Sequence, residues 1–558
     1  MDVSEMQRKL SQWATEDPTK RFVDLYSLLC NDVWLRVAAH KVLKNHGSGT
    51  AGIDGQTKAH FLGDLAGSLK CLQNALRAST FEPMPVRRVY IPKASSGKKR
   101  PLGIPSLRDR IVQEALRMIL EPIWEADFSK HSYGFRPNRS TYDALAFIGN
   151  RLASHGGESY QWVIEGDIAS YFDTIPHRRL IKAVKKRVAD RKIRDLLWQF
   201  LRAGIMDHGK VQATLTGTPQ GGIVSPLLAN IYLHALDRYM ESTYLHLSAW
   251  ERSKRRKAGQ SNFLYVRYAD DFVVLCNGTK AQAIAMQEEL KVILAQMGLR
   301  LSEEKTKVTH ITEGFTFLGY RIIRAIGGKG KMTPKVRIPA SAIKRFQHAV
   351  RRIFAPSTTK ESTVAKIQAT NGLTRGWCQY YRNTSSPADI FGKLSHELIW
   401  DMTHWLGRKY KISAPEVMRR YKREHGPTMT LGTKTATLVL PNAYKARKLL
   451  AKSWHNPYTA QEAIIREKVF WYANLWLGNE HRLGWGDLRE EVILLKGTTC
   501  YVCETTLHPS EVEVDHVIPR GRFKEPREAD RMKHLQPICT SCHRAKTKSD
   551  LKVLSRMR

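Results

Sequence analysis

No stretch of the chain approaches about 18 uncharged apolar residues, so nothing in it reads as a membrane span. The N-terminus, MDVSEMQRKLSQWATEDPTK, lacks an apolar signal region. Internal repeats and long low-complexity tracts are also missing, which excludes array architectures. Acidic residues are scarce: 52 Asp and Glu stand against 90 Lys and Arg, a formal net charge of +38. A field that large argues for a polyanionic partner. The basic clusters recur along the whole chain instead of gathering in one segment, which favours nucleic acid over an anionic lipid surface. Cysteines number eight. Cys30, Cys71, Cys276 and Cys378 are isolated and are expected to be small buried hydrophobes in a reducing compartment. The other four form two Cys-x-x-Cys pairs near the C-terminus, a clustering that suggests metal ligation and not a disulfide framework.

What is present is a chain of 558 residues, too long for one core, with 42% hydrophobic residues to build several. Three or four domains are expected. The first 80 or so residues look helical, with a Gly-rich break at 46–52. Arg87–Lys93 and Lys98–Arg100 flank a Ser-Ser-Gly turn and predict a β-hairpin with a cationic tip. A helix from about Leu107 to Trp124 follows. Pro176 opens what the spacing of Leu180, Val184, Val188, Leu196, Leu197 and Phe200 marks as one long basic helix. Ser225-Pro226 starts another helix, running through Leu228, Ile231, Ala235 and Tyr239. Residues 245–262 are a polar, basic insertion. Beyond about residue 335 the chain turns helical, basic and rich in Trp and Tyr. A Gly-Pro-Thr break at 426–428 and a Gly-rich stretch at 483–486 suggest boundaries.

Tyr268-Ala269-Asp270-Asp271 carries the most information. Two adjacent carboxylates lie between the apolar runs Phe263–Val266 and Phe272–Leu275, the pattern of a hairpin. Like charges side by side are costly unless a cation neutralises them, so the tip suggests a divalent metal site, with a plain polar turn as the alternative. Asp167 ends another predicted strand, YQWVIEGDI. If the two strands are neighbours, Asp167, Asp270 and Asp271 converge, as two-metal phosphoryl transfer requires. Lys93, Lys98, Lys99 and Arg100 could grip a triphosphate, with a solvated charged hairpin as the alternative. The run Thr216–Gly222 allows close backbone approach to a ligand, with a plain loop before a helix as the alternative.

These blocks resemble the reverse transcriptases encoded within group II introns. The matching segments are IPKASSGKKRPLGIPSLRDRIVQEAL (91–116), HSYGFRPNRS (131–140), GDIASYFDTIPH (166–177), GTPQGGIVSPLLANIYLHALD (217–237), YADD (268–271), LSEEKTKV (301–308) and FLGY (317–320). The resemblance implies an α+β multidomain chain, with right-hand-like fingers and palm over 1–335 and a helical thumb, or maturase domain, over 336–427. It makes Asp167, Asp270 and Asp271 ligands of two Mg²⁺ ions. It makes Lys93, Arg100, Gln220 and Lys305 nucleotide contacts, and Phe172 a sugar gate selecting deoxyribonucleotides. The Asn371–Trp377 block with Tyr380-Tyr381 resembles the family's maturase region. That implies binding of intron RNA, with Arg375 and Arg382 among the contacts. By position, 428–490 is expected to be a small DNA-binding region, with Lys445, Arg447, Lys448 and Lys452 available to phosphates.

Cys500-x-x-Cys503 and Cys539-x-x-Cys542 have the spacing of a structural zinc site. With Val512–His516, His534 and His543 they resemble an HNH endonuclease module, a ββα fold over 491–558. The resemblance implies His516 as general base and Asp515 and His543 as ligands of one nuclease Mg²⁺. The usual central Asn of that pattern is His534 here, a departure. The function implied is that of a multifunctional group II intron-encoded protein. It would be an RNA-directed DNA polymerase, a maturase assisting splicing, and an endonuclease that nicks target DNA for target-primed reverse transcription. Its partners would be intron RNA, target DNA and deoxynucleoside triphosphates, in the bacterial cytoplasm as a nucleoid-associated ribonucleoprotein. A splicing-only maturase with a vestigial nuclease, or a domesticated reverse transcriptase in defence or repair, are the alternatives.

Overall fold

The computed structural model describes residues 2–92, 99–153, 159–207, 210–212, 216–218, 221–327, 330, 332–425, 428–449 and 456–458, and toward the C-terminus 492, 496–505, 507, 512–519 and 534–555. Lys93, Lys98, Gln220, Lys452 and the 483–486 stretch lie outside the described residues. The chain divides into two compact units that alternate along the sequence. One comprises Met1–Phe128, Ser170–His234 and His455–Arg558; the other comprises Ser129–Ala169 and Ala235–Trp454.

In the first unit the N-terminal region is helical as expected, with Val3–Glu16, Asp32–Lys44 and Leu65–Arg77 as its main helices. They surround Leu107–Glu125, a helix buried on nearly every face. Such a helix must satisfy polar neighbours internally. The Trp34 indole N–H donates to the Ala115 carbonyl at 3.1 Å, and the Gln7 amide to that of Met118 at 2.7 Å. The expected basic hairpin is present: β1 (Val86–Pro92) pairs antiparallel with β2 (Lys99–Ile104).

β3 (Trp162–Asp167) belongs to the second unit. Back in the first, β4 (Ile205–Asp207) and β5 (Lys210–Gln212) extend the hairpin into a sheet of order β2-β1-β4-β5, with β1 and β4 parallel. The single helix expected from Pro176 is instead two, His177–Lys185 and Arg191–Arg202. The apolar stripe is real, since Leu180, Val184, Val188, Leu196, Leu197 and Phe200 are all buried. Asp190 breaks it. One carboxylate oxygen caps the second helix at Ile193 N, and the other accepts the backbone N–H groups of Leu25 and Tyr26, both at 2.8 Å. Satisfying those donors from a cap outweighs another turn of continuous helix.

The second unit is built on β6 (Phe263–Tyr268), β7 (Asp271–Cys276) and β8 (Lys307–His310), which join β3 in the order β6-β7-β3-β8. Helices Thr141–Ala153 and Lys280–Gln296 pack on this sheet. β9 (Phe315–Phe317), β10 (Tyr320–Ile326) and β11 (Met332–Arg337) form a second sheet sharing the same apolar core. Ala340–Ile353, Thr363–Tyr381 and Pro387–Tyr410 then make a helical bundle around Trp405, Leu398 and Phe346. The basic run after Ala414–Tyr421 does not continue as helix. β12 (Lys422–His425) and β13 (Thr428–Leu431) form a hairpin across the Gly-Pro break, and Leu431, Leu438 and Leu440 join the bundle's core. Of the four isolated cysteines, Cys276 and Cys378 are buried as expected, but Cys30 is half-buried and Cys71 exposed. Among the described residues no helix is long and apolar enough to cross a membrane.

Candidate active site and metal centre

Three carboxylates meet at one end of the four-stranded sheet. β3 and β7 are antiparallel neighbours in a register that sets Asp167 directly opposite Asp271. β6 and β7 close on a two-residue turn, Ala269-Asp270, between the paired Tyr268 and Asp271. Hairpin turns of this length need a positive φ at the first central position, and Ala269 has φ +59°. For a residue with a Cβ that conformation costs about 1–2 kcal/mol, so something must hold it.

Arg267 does. Its guanidinium donates to the Ala269 carbonyl at 2.9 Å and makes a two-pronged pair with Asp237, through Nε to Oδ1 at 2.7 Å and Nη2 to Oδ2 at 2.5 Å. Tyr265 adds its hydroxyl to the same carboxylate at 3.1 Å, and both ion-pair partners are fully buried. From the other side the HSYGF segment is hydrogen-bonded to β6: Arg267 N–H donates to His131 O, and Tyr133 N–H to Arg267 O. Gly134 lies so close that a Cβ on it would stand 2.3 Å from Ala269 N. Next to Asp167, a Cβ on Gly166 would stand 2.2 Å from the Phe272 ring. Sequence reasoning missed the Arg267–Asp237 pair. The signal was an arginine inside the apolar run FLYVRY, a charge that burial obliges to find a carboxylate. Asp237→Ala is expected to cost about 3–5 kcal/mol of stability by stranding that charge, measured by denaturant unfolding. The double variant Asp237→Leu/Arg267→Met should recover most of the loss.

The LSEEKTKV block wraps the end of β3: Ser302 N–H donates to the Asp167 carbonyl, and Ala169 N–H to the Arg300 carbonyl. This places Lys305, whose ammonium donates to Asp167 Oδ2 at 2.8 Å. That hydrogen bond holds the lysine's pKa above its usual value. Asp271 is pushed up to about 7, first by the protein packed around its carboxyl and then by the charges of Asp270 and Asp167. A group of negative charges that resists full ionisation, at the end of the sheet's two central strands, is chemically suited to a divalent cation.

The structure therefore brings Asp167, Asp270, Asp271 and Lys305 together. Phe172 and Arg100 belong to the first unit. Phe172 lies in the short helix Tyr171–Thr174, its ring 5.6 Å from that of Tyr171 and its carbonyl accepting Thr218 N–H at 2.6 Å. Arg100 is exposed on β2, opposite Ile91. Arg375 is exposed on Thr363–Tyr381, Arg382 is half-buried at its end, and Lys445, Arg447 and Lys448 are exposed.

Near the C-terminus β14 (Glu513–His516) pairs with β15 (Leu535–Ile538), followed by the helix Thr540–Ser555. Cys500 sits in a tight turn, donating N–H to Thr505 O and accepting from Glu504 N–H. Cys542 N–H points at Cys539 Sγ, 3.4 Å away. These knuckles bring all four sulfurs within 4.8 Å of one another, with Cys503 and Cys539 at 3.8 Å. Four thiolates about 2.3 Å from one tetrahedral ion stand about 3.75 Å apart, so the cage fits zinc. The Cys539 thiol is lowered to about 6, first by the Ser541 hydroxyl and then by Cys542 N–H.

Beside the cage, His543 Nδ1 pairs with the Glu513 carboxylate while its Nε2 faces Asp515 Oδ1 at 3.7 Å. Asp515 also accepts from the Tyr501 hydroxyl at 2.5 Å and pairs with Lys546 at 3.1 Å. Glu513, Tyr501 and Lys546 were not anticipated from the sequence. His516 and His534 are neighbours where β14 ends and β15 begins, and Val517 N–H donates to the His534 carbonyl at 2.8 Å. Among the described residues the four cysteines are the one set of three or more metal-type ligands so gathered.

Residues 91–322 match the family described as Reverse transcriptase (RNA-dependent DNA polymerase), 343–424 the Group II intron, maturase-specific domain, and 500–549 the HNH endonuclease. Protein YkfC of Escherichia coli K12 is 45% identical over 362 residues, covering 62% of this chain and 95% of YkfC. Group II intron-encoded protein LtrA of Lactococcus lactis is 36% identical over 375 residues, 59% of this chain and 61% of LtrA. The chain belongs to the group II intron-encoded reverse transcriptase and maturase family. The putative COX1/OXI3 intron 1 protein of Saccharomyces cerevisiae is 32% identical over 64% of this chain and 45% of its own length. The chain thus spans most of YkfC but only three fifths, or less, of the other two. As a member of this family it carries reverse transcriptase, maturase and HNH endonuclease domains on one α+β chain.

Proposed function

We propose that the chain copies an intron RNA into DNA at a site it has itself helped to open, with Asp167, Asp270 and Asp271 as the polymerising centre. The observation that carries this is the register of Asp167 against Asp271, with Asp270 at the adjoining tip. Two Mg²⁺ ions held by these carboxylates would activate a 3′-hydroxyl and neutralise the triphosphate. Lys305, already on Asp167, supplies a further positive charge beside the reacting phosphates. Lys93, Arg100 and Gln220 contact the incoming nucleotide, and Phe172 blocks a 2′-hydroxyl. In this reading residues 1–335 are fingers and palm, 336–427 the thumb and maturase domain, 428–490 a DNA-binding region, and 491–558 the nuclease. Arg375 and Arg382 contact intron RNA. The location is the bacterial cytoplasm, in line with the Escherichia coli and Lactococcus relatives.

The nuclease nicks the second DNA strand and leaves the primer terminus. His516 acts as base toward water. Asp515 and His543 hold one divalent ion, which would stabilise the charge developing on the phosphate. The four cysteines hold zinc as a structural brace. The test uses the full chain with its copurified RNA and a DNA duplex carrying the RNA's insertion site. Wild type is expected to nick the second strand and extend it with cDNA. His516→Ala is expected to retain one zinc and to extend a pre-nicked primer, while second-strand cleavage falls at least about a hundredfold, as for a lost general base. Wild-type nicking by His516→Ala, or failure of the wild type to nick any duplex with Mg²⁺ or Mn²⁺, overturns the nuclease assignment.

A further inference from the structure

The basic insertion between the Ser225–Met240 helix and β6 has no part in the chemistry described so far. It folds as a separate helix, Ala249–Lys257, with a capping box between Ser248 and Glu251 and no buried residue. Five of its nine residues are cationic: Arg252, Lys254, Arg255, Arg256 and Lys257. Trp250 on the same helix is 70% exposed, and the Lys254 ammonium lies 5.4 Å from its ring centre. Among the described residues Lys254 and Lys257 make no ion pair, and both are exposed.

This helix is held in place. Asn262 Nδ2 donates to the Arg252 carbonyl at 2.9 Å, Arg255 to the Ser261 carbonyl at 3.0 Å, and Gln282 Nε2 to the Gly259 carbonyl at 2.7 Å. Those bonds tie it to the start of β6 and to the N-terminus of the Lys280–Gln296 helix. Basic residues near a helix C-terminus are favoured by its dipole, and that alone would account for some of the charge. It does not account for an indole presented to solvent among them on a pinned scaffold. An aromatic face flanked by ammonium groups on a fixed helix is what an unpaired base next to its phosphates requires. Duplex DNA offers no such base.

We infer that Trp250, Lys254 and Lys257 form a docking surface for an unpaired nucleotide of a structured RNA, with the indole stacking on the base and the lysines meeting adjacent phosphates. The inference rests on the reading of the chain as an RNA-binding maturase and adds a specific contact to it. The surface lies at the start of β6, while the carboxylates lie past its end, and a six-residue strand spans roughly 17–20 Å. Docking here is therefore separable from synthesis.

The experiment compares full-length wild type with Trp250→Ala, Trp250→Phe and the double variant Lys254→Ala/Lys257→Ala. The probe is an in vitro transcript of the RNA that copurifies with the wild type, against an equal-length scrambled transcript and duplex DNA. Trp250→Ala is expected to weaken transcript binding roughly 5- to 100-fold without changing its salt dependence. Trp250→Phe should retain most of the affinity. The lysine pair should lower the slope of log affinity against log salt by about 1.4–1.8, two phosphate contacts. Primer extension on poly(rA)/oligo(dT) should be unchanged in all three. The inference is overturned if wild type prefers its own transcript and the variants bind it equally well, which leaves the maturase reading intact. It is also overturned if the variants lose duplex DNA and not RNA, or lose homopolymer extension in step with binding. A wild type that binds both transcripts alike overturns the maturase reading and this inference together.

Discussion

Asp271→Asn in the full chain abolishes Mg²⁺-dependent DNA synthesis on an RNA template, with a loss of at least roughly a hundredfold, about 2.7 kcal/mol of barrier. The same result is expected for Asp270→Asn. A carboxamide keeps the shape of the tip but withdraws the negative charge that a divalent ion needs. RNA affinity should stay within about twofold, because it resides in dispersed phosphate contacts. The free protein should respond in the opposite direction. The Asp271 carboxyl is pushed up to about 7, above its ordinary value near 3.8, so the folded state binds this proton more tightly than the unfolded one. Stability from this group is therefore gained as pH falls through 7 and withdrawn above it. Without divalent ions, wild type should melt at a higher temperature at pH 6 than at pH 8. Asp271→Asn should reduce that difference and melt above wild type at pH 8. Synthesis by Asp271→Asn above a few per cent, or an unchanged melting profile, would remove Asp271 from the centre proposed for it.

Loss of one cysteine from the C-terminal cage is the second large effect. The described part of that module buries few apolar side chains: Val492, Val512, Val514, Leu535 and Ile538. At about 1.5–3 kcal/mol per buried side chain, these do not offset about 1–2 kcal/mol of backbone entropy for each ordered residue. A structural zinc contributes on the order of 10–16 kcal/mol, so the ion decides whether the module folds. Cys500→Ser and Cys542→Ser should each bind less than a stoichiometric zinc and make residues 496–555 rapidly cleavable by protease. Cleavage of target DNA should vanish with the fold, and a strong chelator should reproduce both effects on wild type. Synthesis from a pre-annealed primer should survive, since Asp167, Asp270 and Asp271 belong to the other unit. Protease resistance in a zinc-free Cys542→Ser protein would show that packing alone suffices.

Local patterns carried much of this structure in the sequence. The β6–β7 hairpin, the Leu107–Glu125 helix and the β1–β2 hairpin follow from apolar periodicity and turn residues, which act over neighbouring positions. The paired cysteines were legible because a tetrahedral cage fixes their spacing. Long-range choices were not. The stripe from Leu180 to Phe200 reads as one helix until Asp190 is known to serve donors at Leu25 and Tyr26, far away in sequence. The strand Lys422–His425 reads as helix because its composition is basic and gives no period-2 alternation. The buried Arg267 announces a partner without naming Asp237. Lys305 was tied to the site only through resemblance, and its hydrogen bond to Asp167 depends on a turn that no periodicity encodes.

Gly134 and Gly166 have a further meaning for anyone who maps this protein by substitution. Neither offers an atom to substrate or ion, yet a single methyl group on either would collide with the tip or with the ring behind it. A saturation screen scored on activity would mark both positions as severely as the carboxylates. Intolerance here measures clearance, not reactivity. The footprint of the active centre in such a map would therefore be wider than its chemistry, by the thickness of the scaffold that aims it.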